Sequence, residues 1–122
     1  MKKWICVLAL VLAFVMLAGC QKTTKGVKEF RLDDYRQYIS SSPYEANVGA
    51  IESKDDAIAK AEEIWLKVYG DTIKDEKPFQ AYYDEKEATW LVISTLEANT
   101  LGGSAYFLAE ESGEVLAVWK LK

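Results

Sequence analysis

Downstream of Cys20 the chain contains no cysteine, and it contains no histidine anywhere. Whatever folds there must hold without a disulfide, a thiolate metal clip or an imidazole ligand, so its stability has to come from buried apolar area. The material is present: four Trp, seven Tyr and four Phe occur in the 122 residues, and such side chains bury about 150–250 Å² each. The same absence limits chemistry. Ser–His–Asp triads, Cys–His pairs and histidine zinc sites are excluded. Only carboxylates, lysines and tyrosines are left for acid–base work.

The two cysteines, Cys6 and Cys20, lie in a segment of another kind. Lys2 and Lys3 form a positive start, residues 4–16 carry no charge, and Leu17-Ala18-Gly19-Cys20 closes the stretch with small residues before a cysteine. Charge, short apolar core and small-residue cleavage site are the parts of a secretory signal. The Leu-Ala-Gly-Cys ending resembles the bacterial lipobox, which implies a diacylglyceryl thioether on Cys20 and cleavage before it. The competing assignment is a membrane-spanning anchor, but residues 4–19 fall short of the ~20 apolar residues that a spanning helix needs. Two acyl chains give stable attachment at about 0.8 kcal/mol per buried methylene, where one chain binds only marginally. The expected location is the cell membrane, facing outside the cytoplasm, with Cys20 as the lipidated residue.

Loss of residues 1–19 leaves 103, enough for one small domain and a tether. It also removes Lys2 and Lys3 and no acid, leaving 13 basic against 19 acidic residues, a net charge of −6. An acidic surface disfavours nucleic acid and anionic headgroups and suits a basic protein partner.

The reading divides the chain into a signal at 1–19, a lipidated tether at 20–28, an N-terminal segment at 29–52 and an α+β domain at 53–122. In the segment, Leu32, Tyr35 and Tyr38/Ile39 fall three or four apart, which fits a short helix. Ser40-Ser41-Ser42-Pro43 interrupts it, since the residue before a proline is pushed out of the helical region. The main helix is expected over 53–69. Ser53-Lys54-Asp55-Asp56 resembles a capping box with Asp in place of Glu, Ala57, Ala61, Ile64, Trp65 and Val68 form a stripe at helical spacing, and Gly70 suits a left-handed C-terminal cap. Four strands follow, at 79–83, 88–96, 104–109 and 114–121, joined by turns at Asp84-Glu85-Lys86-Glu87 and Glu111-Ser112-Gly113 and by a loop ending in Gly102-Gly103. A helix followed by hairpin strands predicts an antiparallel sheet with the helix on one face.

The strands are apolar on both sides. Trp90 and Val92 oppose Leu91 and Ile93, Tyr106 and Leu108 oppose Phe107, and Leu116 and Val118 oppose Val115 and Trp119. One helix covers only one face. The second is either covered by the segment around Phe30 to Ile39 or left open to a partner or ligand.

Motifs for catalysis do not assemble. Gly102-Gly103 lies between strands and lacks the helix N-terminus that cradles phosphate. Asp33-Asp34, Asp55-Asp56 and Glu62-Glu63 are adjacent pairs, which do not share a helix face, and no spacing matches a calcium loop. No metal, cofactor or catalytic residue is expected.

From Ser53 onward several short runs occur in a familiar order. They are Ala57-Ile58-Ala59-Lys60-Ala61-Glu62-Glu63-Ile64-Trp65, Val68-Tyr69-Gly70, Lys77-Pro78-Phe79, Trp90-Leu91-Val92 with Thr95-Leu96, Gly102-Gly103-Ser104-Ala105-Tyr106, and Gly113-Glu114-Val115-Leu116. Together they resemble the small bacterial immunity-protein family assigned a nuclear transport factor 2 fold, over about residues 51–122. The resemblance implies a reduced version of that cone-shaped fold. It also implies a domain that binds and neutralises a toxin, as in polymorphic toxin systems of competing bacteria, without catalytic residues. Trp90, Tyr106 and Trp119 are the aromatic side chains expected at such an interface, since Trp and Tyr dominate hot spots; each is also a natural core residue. The helix-then-hairpin order resembles PepSY-type domains too, which implies a cell-envelope regulator or ligand module as the alternative. A third expectation, a small-ligand protein, requires an apolar cavity with a few convergent polar groups.

Overall fold

The computed structural model describes residues 25–94 and 104–121. Signal, Cys20, the Gly102-Gly103 turn and the last two residues expected of the 88–96 strand lie outside them. No helix among the described residues is long and apolar enough to cross a membrane.

The elements in chain order are β1 (Lys28–Glu29), a 3-10 helix (Leu32–Tyr35), α1 (Arg36–Ser41), α2 (Lys54–Tyr69), a second 3-10 helix (Asp71–Glu76), and strands β2 (Phe79–Asp84), β3 (Thr89–Ser94), β4 (Ala105–Glu110) and β5 (Val115–Lys120). The sheet order is β1-β2-β3-β4-β5, antiparallel from β2 to β5.

Helix α2 starts where its capping residues dictate. The Ser53 hydroxyl accepts from the Asp56 amide at 3.2 Å, and the Asp56 carboxylate accepts from the Glu52 amide at 3.0 Å. This is a reciprocal cap displaced one residue outward from the usual box. Gly70 ends the helix at φ +79, its amide donating to the Leu66 carbonyl at 3.0 Å. Ala57, Ala61, Ile64 and Trp65 are buried against the sheet, whereas Val68 is 42% exposed.

Two expectations are corrected. The sheet has five strands and is mixed, not four-stranded and antiparallel, because Lys28 and Glu29 pair in parallel with Tyr82 and Tyr83. Val27, assigned above to the tether, is buried in the helix-side core and fixes those two charged residues on the edge of β2. Second, strict alternation fails in β5. A bulge between Leu108 and Ala109 skips Leu116, so Val115 and Val118 share the helix side while Leu116, Ala117 and Trp119 lie on the other. One extra residue reverses the faces beyond it. Residues 71–76 form the second 3-10 helix, held by the buried Ile73.

Two cores result. On the helix side, Trp65, Trp90, Phe107, Ile51 and Ile73 are fully buried. On the other side, Leu91, Leu108, Ala117 and Trp119 pack with Leu32 beneath the 3-10 helix and α1, so the N-terminal segment covers part of the second face and leaves Tyr82, Ile93 and Tyr106 half-buried. The Asp84 carboxylate fastens that cover: one oxygen accepts from the Leu32 amide at 2.8 Å and the other from the Glu87 amide at 3.2 Å.

The outer edge of β5 is also occupied. Residues 42–51 run beside it, with Val118 N–H donating to Ser42, Val115 N–H to Ala46, Val48 N–H to Gly113 and Ile51 N–H to Glu111. The Lys60 ammonium holds this segment by the Gly49 and Ala50 carbonyls. An edge so covered is closed to further strand pairing.

Candidate functional site

Register decides which side chains meet on the second face. Across the sheet, Gln80 pairs with Ile93, Ile93 with Tyr106, and Tyr106 with Trp119. All four point away from α2, near the end of the sheet where β3 leaves and β4 begins. The next row toward the turns is Tyr82, Leu91, Leu108 and Ala117.

Tyr106 and Trp119 are thus brought together, with rings parallel at 5.0 Å and 5°. Tyr38 of α1 is parallel to the same indole at 4.3 Å and 6°. Tyr35 lies 6.1 Å from Trp119 and 6.5 Å from Tyr106. Trp90 is separated from this group by the thickness of the sheet. It is fully buried on the helix side, 4.9 Å from the Tyr83 ring, and presents no surface to a partner in the folded chain. Trp119 is 5% exposed, so its role is to seat its neighbours.

The surface of the face is made by residues that are half-buried: Tyr106, Ile93, Tyr82, Tyr35 and Tyr38. Single-sequence reading found Tyr106 and missed Tyr82 and Ile93. The signal was their shared parity with Tyr106 once the register is known. Burial pushes the Tyr106 phenol up, as do the neighbouring Tyr38 and Tyr82. The Tyr35 phenol is raised by burial first and then by Tyr106. These phenols stay neutral at ordinary pH, and their hydroxyls are donors and acceptors on an apolar floor. That combination is common at protein interfaces.

Several charged groups elsewhere have structural partners. Asp33 receives the Arg36 guanidinium at 2.6 Å, which holds its carboxyl below the usual range. Glu62 pairs with Lys77 at 3.2 Å while Glu63 faces Lys67 at 3.9 Å. Glu76 is buried and receives the Ser94 hydroxyl at 2.7 Å and the Lys120 ammonium at 2.8 Å. The same Ser94 oxygen accepts from the Ala105 amide at 2.7 Å, so this hydroxyl is committed on both sides. Among the described residues, no group of three or more acidic residues is placed to hold a metal ion.

A cleft of about 590 Å³ lies between the first 3-10 helix and the β2–β3 turn. Its wall carries Glu29, Arg31, Asp33, Arg36, Glu85, Lys86 and Glu87 around Phe30 and Leu32. It is open and charged, unlike the apolar cavity that a small-ligand protein requires. Between helix and sheet, Trp65, Trp90 and Phe107 are fully buried and fill the space.

Comparison with known proteins adds one finding. A family model described as NTF2 fold immunity protein matches residues 56–122, which include most of α2 and all of β2 to β5. No curated protein and no solved structure matches the chain significantly. A helix on a five-stranded sheet agrees with that fold. The chain belongs to the nuclear transport factor 2-fold immunity protein family.

Proposed function

We propose that this protein is a lipid-anchored immunity protein which binds a toxin at the outer face of the cell membrane and neutralises it by occupancy, without catalysis. The observation that carries the reading is the family match over residues 56–122. The contact surface is the row Gln80, Ile93 and Tyr106 with Tyr82 beside it, floored by Trp119 and Leu91. A half-buried aromatic group over a rigid sheet presents large contact area at low entropic cost. Anchoring rests on the Leu17-Ala18-Gly19-Cys20 motif and the thioether that it implies at Cys20.

The test is co-expression with the product of the gene adjacent to the protein's own. Growth arrest by that product, relieved by this protein and not by its Tyr106→Ala, Ile93→Asp variant, supports the reading. A neighbour product that is harmless and unbound counts against it. Retention of an envelope protease in its place favours a PepSY-type regulator.

A further inference from the structure

We infer that the domain is held against the bilayer by the end carrying its β2–β3 and β4–β5 turns, with the Ile93–Tyr106–Trp119 row turned away from the lipid; this rests on the lipidation of Cys20 proposed above. The first described residue is already fixed at the turn end. Lys25 pairs with Glu111 at 2.7 Å and its ammonium lies 5.6 Å from the centre of the Tyr83 ring. Tyr83 donates to the same Glu111 carboxylate at 3.2 Å. Glu111 belongs to the β4–β5 turn, Tyr83 stands one residue before the end of β2, and the Glu111 carbonyl receives the Ile51 amide just ahead of α2. Two residues on, Val27 is buried. The Lys25 side chain is therefore tied where both turns meet, and the backbone after it, Gly26 to Lys28, runs beside the start of α2 at Lys54.

Four residues separate Cys20 from Lys25. Fully extended, that stretch reaches at most about 18 Å. A folded domain of this size is about 30 Å across. The tether is too short to lay the opposite end, where Glu76 meets Ser94 and Lys120, on the lipid. Gln80, Ile93, Tyr106 and Trp119 lie within one or two residues of that end. The turn end itself carries Glu29, Asp33, Glu85, Glu87, Glu110, Glu111 and Glu114 against Lys25, Arg31, Arg36 and Lys86, a net negative set that anionic headgroups repel, so the anchor holds it close. The partner that fits this arrangement is a protein arriving from the aqueous side rather than one embedded in the bilayer.

The domain's lack of thiols makes the test direct. The full-length chain is produced in a bacterium that processes lipoproteins, purified from membranes and placed in phosphatidylcholine vesicles bearing a headgroup-attached quencher. The thioether leaves Cys20 unreactive, so Ser112→Cys at the β4–β5 turn or Asp75→Cys at the far end supplies the one thiol for a fluorophore. Both native residues are exposed. Quenching several-fold greater for Ser112→Cys than for Asp75→Cys is the expected result. Equal or reversed quenching in protein that carries fatty acid and stays with the vesicles overturns the orientation and leaves lipidation standing. Protein that carries no fatty acid and does not partition overturns lipidation, and the orientation with it.

Discussion

The Tyr38 ring lies parallel to the Trp119 indole, 4.3 Å between centres and 6° between planes, and ties α1 to the outermost full-length strand of the sheet. The indole is parallel to Tyr106 as well. A helix of six residues has too few turns to stand alone, so this aromatic contact and the Leu32 core hold the cover in place. Replacing Trp119 by Ala is expected to cost about 3–5 kcal/mol, as for other buried large aromatic side chains. Urea unfolding measures this, and a loss under about 1 kcal/mol would mean that the stack contributes little.

Asp84 joins the cover to the β2–β3 turn through the Leu32 and Glu87 amides. Asp84→Ala leaves both donors without their acceptor, for about 1–3 kcal/mol each if neither is rehydrated. Amide hydrogen exchange at Leu32 should accelerate in that variant. Asp84→Asn, which keeps one carbonyl oxygen, should fall between wild type and Ala.

Gly113 allows the β4–β5 turn and the segment at 42–51 to meet. Its φ is +100, and a side-chain carbon there would collide with the Gly49 carbonyl. Gly113→Ala is expected to destabilise by about 1–3 kcal/mol, from backbone strain and overpacking. Thermal unfolding reads the effect, and an unchanged midpoint would contradict the close approach.

Burial, the Glu111 charge and the hydrogen bond to it push the Tyr83 phenol from its ordinary 10.0 up to about 12. The folded state therefore favours the neutral phenol. Its contribution to stability is complete below pH 10 and is lost as pH rises toward 12. Stability measured across that window should decline more steeply in wild type than in Tyr83→Phe. Parallel curves would remove Tyr83 as the source.

Local signals made much of this fold legible. Ser53, Asp56 and Gly70 marked the ends of α2 because capping is chemistry within four residues. Alternation placed Trp90, Leu91, Val92, Ile93, Tyr106, Phe107 and Leu108 on their correct faces. What escaped notice depended on distant partners. β1 is two charged residues whose strand geometry comes from β2. The bulge at Leu116 arises from a mismatch between β4 and β5 that neither strand shows by itself. Among the residues expected at an interface, Tyr106 and Trp119 came together, while Trp90 served the other core. Aromatic character identifies a residue able to anchor a partner, but only register and the position of the cover decide which face it reaches.

The most direct measurement is the affinity of the purified protein for the product of its neighbouring gene, for wild type and for Tyr106→Ala, with unfolding curves confirming that both are folded. Tight binding by wild type, weakened about 30-fold or more by the substitution as an interface hot spot of about 2 kcal/mol would be, is the predicted result. Absence of binding, or equal affinity of the two proteins, would contradict the claim that this sheet face neutralises a toxin.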